Sequence, residues 1–129
     1  MRIPITAFFF CIFSVLYIGL SLYVVRTRRK NRIPLGDGNH PPLIKAMSTH
    51  SNFSQYIPLG LLGILMGELQ GIPSSILFGV GFSLLLGRMF HGIGIMIAKT
   101  GPNKPRVLGM ILTFIPLLTL AVANILLLK

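Results

Sequence analysis

Apolar positions run almost unbroken through four stretches of this chain, roughly Pro4–Val25, Ala46–Leu69, Ser74–Ala98 and Val107–Leu128. Each stretch holds 22 or more residues, and a helix needs about 20 to cross the ~30 Å hydrocarbon core of a bilayer. Four faces this apolar have no place in a soluble domain, whose helices turn a polar side to water. The pattern predicts an all-α, polytopic membrane protein with four transmembrane helices. The second link holds Gly71 and Pro73, and the third holds Gly101-Pro102 and Pro105. Such short links force antiparallel neighbours, so the expected architecture is an up-down four-helix bundle, a single membrane domain over residues 1–129. The first link, Arg26–Pro42, contains Gly36-Asp37-Gly38 and paired prolines, and is expected to be extended or irregular.

Small residues recur at helix-packing spacing: Gly79, Ser83 and Gly87 in the third stretch, and Gly63 and Gly67 in the second. Within a membrane that spacing lets helix backbones approach closely. Pro58 and Pro116 interrupt the second and fourth stretches. Each frees a carbonyl that a neighbouring helix or a hydroxyl such as Ser54 is expected to satisfy. Cys11 stands alone in the first stretch, where it reads as a small packing residue.

Composition agrees with this picture, at 53% hydrophobic residues and a mean hydropathy of +0.79. The net charge of +10 invites a nucleic-acid reading, and its distribution removes it. Arg26, Arg28, Arg29, Lys30, Arg32 and Lys45 sit in or beside the first link, and Lys99, Lys104 and Arg106 flank the third. The second link has no cation; Arg2 and Lys129 are the only ones opposing. Lys and Arg accumulate on the cytoplasmic side, so both termini are expected outside. The basic side attracts anionic lipid head groups without any other partner. The first stretch has its cations after the apolar run and no small-x-small site, so it reads as an uncleaved anchor and not a signal peptide.

The chemistry-bearing residues lie inside the apolar stretches. Lys45, Ser48, Asn52 and Gln55 fall 3, 4 and 3 apart, along one helical stripe. Arg88 and His91 lie one turn apart on the third helix. At 1.5 Å per residue, Asn52 and His91 are each about 10 Å deep from the basic side, and Gln55 and Arg88 about 14–15 Å. An intramembrane arginine must face a partner or a wet cavity. The two acids, Asp37 and Glu68, lie elsewhere. A cation without a carboxylate suits an anionic ligand. The competing reading is an arginine that locks the bundle through Gln55 and backbone carbonyls, and spacing alone leaves the two level.

The segment Thr49-His50-Ser51-Asn52-Phe53-Ser54-Gln55-Tyr56-Ile57-Pro58-Leu59 resembles the second-helix signature of the MAPEG superfamily, membrane-associated proteins in eicosanoid and glutathione metabolism. Leu35-Gly36-Asp37-Gly38, Gly87-Arg88-Met89-Phe90-His91 and Arg106-Val107-Leu108-Gly109 support it in the same order, and the likeness is to the short bacterial members. The resemblance implies a homotrimer in the inner membrane. It also implies glutathione as thiol co-substrate, bound at the cytoplasmic side between subunits. Carried over by motif, Asn52 and His91 contact glutathione and Arg88 organises the pocket. Arg26 and Arg28 reach the peptide's carboxylates from the adjacent subunit, and Arg106 or Lys104 holds the thiolate. Ser48 stands where the family has Arg, Gln55 where it has Glu, and Ile95 where the eukaryotic enzymes carry Tyr.

The expected function is therefore a glutathione-dependent transferase or peroxidase acting on lipophilic electrophiles from the bilayer. The alternative is a non-catalytic protein of the same fold with a structural or lipid-interacting role. A small multidrug exporter predicts an acid in the first stretch, which Pro4–Val25 lacks. His40, His50 and His91 lack close spacing, and no carboxylate or thiol joins them into a set that predicts a metal site.

Overall fold

The computed structural model describes residues 2–127 of the chain; Leu128, the expected end of the fourth span, and the cation Lys129 lie outside the described residues. Four helices follow one another: α1 (Pro4–Asn31), α2 (Pro41–Leu69), α3 (Ser74–Ile97) and α4 (Lys104–Leu126). They form the expected helical bundle. α3 packs most extensively on α4, and α2 lies against α1 and α3 while also touching α4.

The helices are longer than the apolar stretches that predict them. α1 continues through Arg26–Asn31, which the sequence reading assigns to an irregular link. Arg and Lys are good helix formers, and Arg28, Arg29 and Lys30 in the last turn complement the helix dipole. α2 starts at Pro41, since proline is tolerated in a first helical turn, where its missing N–H has no intrahelical use. The irregular link therefore shrinks to residues 32–40. α4 likewise takes in Lys104 and Arg106.

Three of the four helices, α1, α3 and α4, are long and apolar enough on length and composition to cross a membrane. α2 has 29 residues, about 43 Å at 1.5 Å per residue. It falls short on composition because its first half carries the polar stripe.

Phe9, Phe13, Phe53, Ile57, Ile64, Leu77, Leu84 and Leu120 form the buried core. Phe9 lies directly over Gly81, where a side chain would collide with its ring. Gly87 and Gly109 bring α3 and α4 together so closely that a Cβ on Gly109 would meet the backbone of His91 and the Gly87 carbonyl. The small-residue stripe on α3 works through Ser83 and Gly87; Gly79 faces open space. Ser83 Oγ donates to the Leu112 carbonyl at 2.9 Å, the one that Pro116 leaves without its helical donor. Ser54 does not play that part for Pro58, because its hydroxyl donates to Ser51 O instead. Cys11 is exposed on α1 and takes no part in the core, so its expected packing role is not realised.

The end of the bundle away from the basic links is tied by an acid. α1 begins without a side-chain cap of its own. Glu68, at the far end of α2, accepts from the Ile5 and Thr6 amides, both at 2.8 Å, and from Thr6 Oγ1 at 2.7 Å. A carboxylate is favoured there, where free amides and the dipole point outward.

Candidate functional site at the basic end

Arg88 is 4% exposed and His91 5%, and both look toward α4. Arg88 Nη2 and Nε donate to Thr113 Oγ1 at 2.7 and 3.0 Å, and Nη2 also reaches the Gly109 carbonyl at 3.3 Å. Thr113 Oγ1 in turn donates a hydrogen bond to Gly109 O at 2.7 Å. The Gly87–Gly109 approach brings Thr113 and the Gly109 carbonyl close to α3, where a Cβ on Gly87 would collide with both. From α2, the ring of Tyr56 covers the cation, with its centroid 4.6 Å from Arg88 Cζ, a geometry in which the ring's negative face attracts a desolvated guanidinium. Nη1 is buried with no hydrogen-bond acceptor among the described residues.

His91 Nδ1 lies 3.2 Å from the Arg106 carbonyl. With that carbonyl as acceptor, Nδ1 carries the proton and Nε2 keeps a free lone pair. Next to it, Asn103 caps α4. Its Oδ1 accepts from Arg106 N at 3.1 Å, and its Nδ2 donates to Gly94 O at 2.8 Å. Arg106 packs its stem against Gly94 and is half-buried. Its guanidinium makes one long contact, Nη1 to Gly101 O at 3.5 Å. Lys104 is exposed and borders a shallow surface depression with Pro102, Asn103 and Val107.

The α2 residues are placed differently from the sequence expectation. Ser48 and Asn52 are half-exposed and Gln55 is exposed. Asn52 Nδ2 turns back to Ser48 O at 3.0 Å. Among the described residues no hydrogen bond joins Asn52 to His91 or Gln55 to Arg88. The expected convergence of the four groups is not seen within one chain, because α2 turns its Thr49–Phe53–Ile57 edge into the bundle. Tyr56, one position past Gln55, is what meets Arg88. Lys45 departs from the stripe, its Nζ donating to Met96 O at 3.1 Å. His50 lies on another side, with Nε2 2.9 Å from Ser21 Oγ on α1.

On α1, Arg26 is exposed. Arg28 is spent within its own chain: Nη1 donates to Gly36 O at 2.7 Å and Nη2 lies 3.3 Å from Met47 Sδ. Sequence reasoning missed Thr113. Its signal was present in retrospect, one turn after Gly109 on the helix that Gly87 approaches, but periodicity cannot say which helix an arginine faces.

Comparison with known proteins places the chain in a family. The chain is 31% identical over 90 residues to the inner membrane protein YecN of Escherichia coli strain K12, covering 70% of this chain and 69% of that protein. It matches YecN of E. coli O6:H1 to the same extent. The sequence model of the MAPEG family matches residues 6–126, a span that contains all four helices almost entire, the Arg88 clamp and the polar stripe of α2. The chain belongs to the MAPEG family.

Proposed function

We propose that this protein binds glutathione at the basic end of the bundle and uses its thiolate against lipophilic electrophiles that arrive from the bilayer. One observation carries the reading: Ser48, Asn52 and Gln55 form a polar stripe on α2 that the described residues cover only in part, Gln55 being exposed and the other two half-exposed. Polar groups left in a bilayer are costly, so a neighbouring copy and a polar ligand are what such a stripe requires. Assembly as a homotrimer, with glutathione between subunits, meets that requirement. The same basic end would face the cytoplasm of an inner membrane.

Each residue then has a task. Asn52 and Gln55 offer amide donors and acceptors to the peptide backbone of glutathione, with Ser48 beside them. Arg26, free at the end of α1, reaches a carboxylate; Arg28 supports the link that positions it. His91, oriented by the Arg106 carbonyl, presents Nε2. Arg88 holds α3 and α4 at the spacing the pocket needs. Arg106, with few donors spent in its own chain, stands at the positive end of α4 and favours thiolate over thiol; Lys104 adds charge from the exposed side. The sulfur then forms its bond to the electrophilic carbon as the leaving group departs with the bonding pair.

The non-catalytic alternative draws on a specific observation too. Nε and Nη2 of Arg88 are held by Thr113 and Gly109, and Tyr56 covers its face, without any ligand, although Nη1 finds no acceptor among the described residues; Gln55 and Ser48 lack the charges of the family's Glu and Arg. The deciding experiment measures saturable glutathione binding and conjugation of 1-chloro-2,4-dinitrobenzene by the purified protein, with native mass spectrometry for assembly. The proposal expects a trimer that binds glutathione, and an Arg106→Gln variant that binds it but loses conjugation. A folded trimer that does not bind glutathione sinks the enzyme reading.

A further inference from the structure

Where α1 leaves the apolar slab, a groove of about 480 Å³ opens between its last turns and the chain that follows, lined by Val25, Arg28, Arg29, Arg32, Ile33 and Pro34. The lining is ordered along the helix axis. Val25 ends the apolar run, Arg28 and Arg29 come one turn later, and Arg32 two turns later. At 1.5 Å per residue the cations stand ~5 to 10 Å beyond Val25. A phospholipid at the edge of the hydrocarbon presents acyl chain, glycerol and then phosphate in the same order.

The groove is built and not merely left over. Ile33 folds back, its amide donating to the Arg28 carbonyl at 3.1 Å, and Arg28 pins the link through Ile33 O and Gly36 O. That leaves Arg29 and Arg32 exposed at the rim. The one acid of the link, Asp37, accepts from the Asn39 amide at 2.9 Å. Helix-dipole complementarity accounts for Arg28, Arg29 and Lys30 in the last turn, but not for Arg32. That residue follows the helix at φ 55°, a left-handed conformation that ordinarily takes glycine or asparagine. The planar fork of a guanidinium suits phosphate oxygens.

We propose that this groove binds the phosphate of an anionic phospholipid. Arg29 and Arg32 hold the phosphate, and Val25, Ile33 and Pro34 line the start of the acyl chains. This goes beyond the glutathione reading and does not depend on it, since neither Arg29 nor Arg32 belongs to that site.

The test titrates delipidated full-length protein in mild detergent with phosphatidylglycerol or phosphatidylcholine and reads retained lipid by native mass spectrometry. Arg29→Gln with Arg32→Gln is compared with Lys30→Gln with Lys99→Gln, which removes equal charge outside the groove. The proposal expects preferential retention of phosphatidylglycerol. The arginine pair lowers it about tenfold, as lost charge-assisted bonds imply, and the lysine pair stays within about twofold. Millimolar inorganic phosphate leaves the lipid in place. Equal losses in the two pairs would mean diffuse surface charge and overturn the site; displacement by inorganic phosphate would make it a free-phosphate site and overturn the lipid assignment. Glutathione binding measured on the same arginine pair separates failure of this proposal from failure of the other.

Discussion

Arg88 shows what a charge inside a membrane helix requires. Without a carboxylate in reach, its guanidinium is stabilised by one hydroxyl, one carbonyl and one aromatic face. Thr113→Val keeps shape and removes the acceptor of two of its bonds. It is expected to lower unfolding stability by about 1–3 kcal/mol, the cost of leaving a buried donor unmade; unfolding in mixed detergent micelles measures it, and an unchanged midpoint would remove Thr113 from the clamp. Gln55 poses the opposite case, a neutral amide exposed on the stripe where the family has a carboxylate. Gln55→Glu restores a charge-assisted acceptor and is expected to tighten glutathione binding about tenfold, equal to 1.4 kcal/mol. Calorimetric titration reads this, and weaker binding in the variant would mean that Gln55 does not face the peptide.

Helix ends and helix contacts follow from a handful of residues. The α1 N-terminus has no cap in its own sequence, so the Glu68 carboxylate spans the bundle to supply one. Glu68→Gln keeps one acceptor and loses the charge, so it is expected to cost about 1 kcal/mol and to loosen the first turn of α1. Faster amide exchange confined to that turn is the signature; uniform protection would show that the carboxylate carries nothing. The α3–α4 contact rests on the absence of side chains at Gly87 and Gly109. Spacing made a close helix pair legible on α3, yet Gly79 belongs to the same stripe and meets nothing. A periodic pattern marks a face and cannot mark how far along it a neighbour extends.

For the whole molecule, the charges divide between two ends. The nine cations of the first and third links gather at one end of the bundle, while Glu68 and the α1 N-terminus mark the other. The positive-inside tendency therefore predicts that both termini are extracytoplasmic. Alkaline phosphatase and fluorescent-protein fusions at the C-terminus measure it directly; a cytoplasmic C-terminus would move the basic groove and the polar stripe to the outer face.

Apolar run lengths and short links made the four-helix membrane architecture readable from the chain, because bilayer thickness fixes how many residues a crossing needs. Local motif residues made the family readable, and spacing put Asn52, Gln55, Arg88 and His91 at matching depths. Hydropathy placed the helix ends wrongly at Arg26–Asn31 and at Pro41, since it registers the edge of the hydrocarbon and not the end of a hydrogen-bonded helix. The rotation of each helix about its axis was decided only in three dimensions. That rotation gave Arg88 to Thr113 and Tyr56 and turned Asn52 and Gln55 outward. Rotation depends on which side chains interlock across helices distant in sequence, here Phe9 over Gly81 and Gly87 against Gly109, and no periodicity within one helix contains that information.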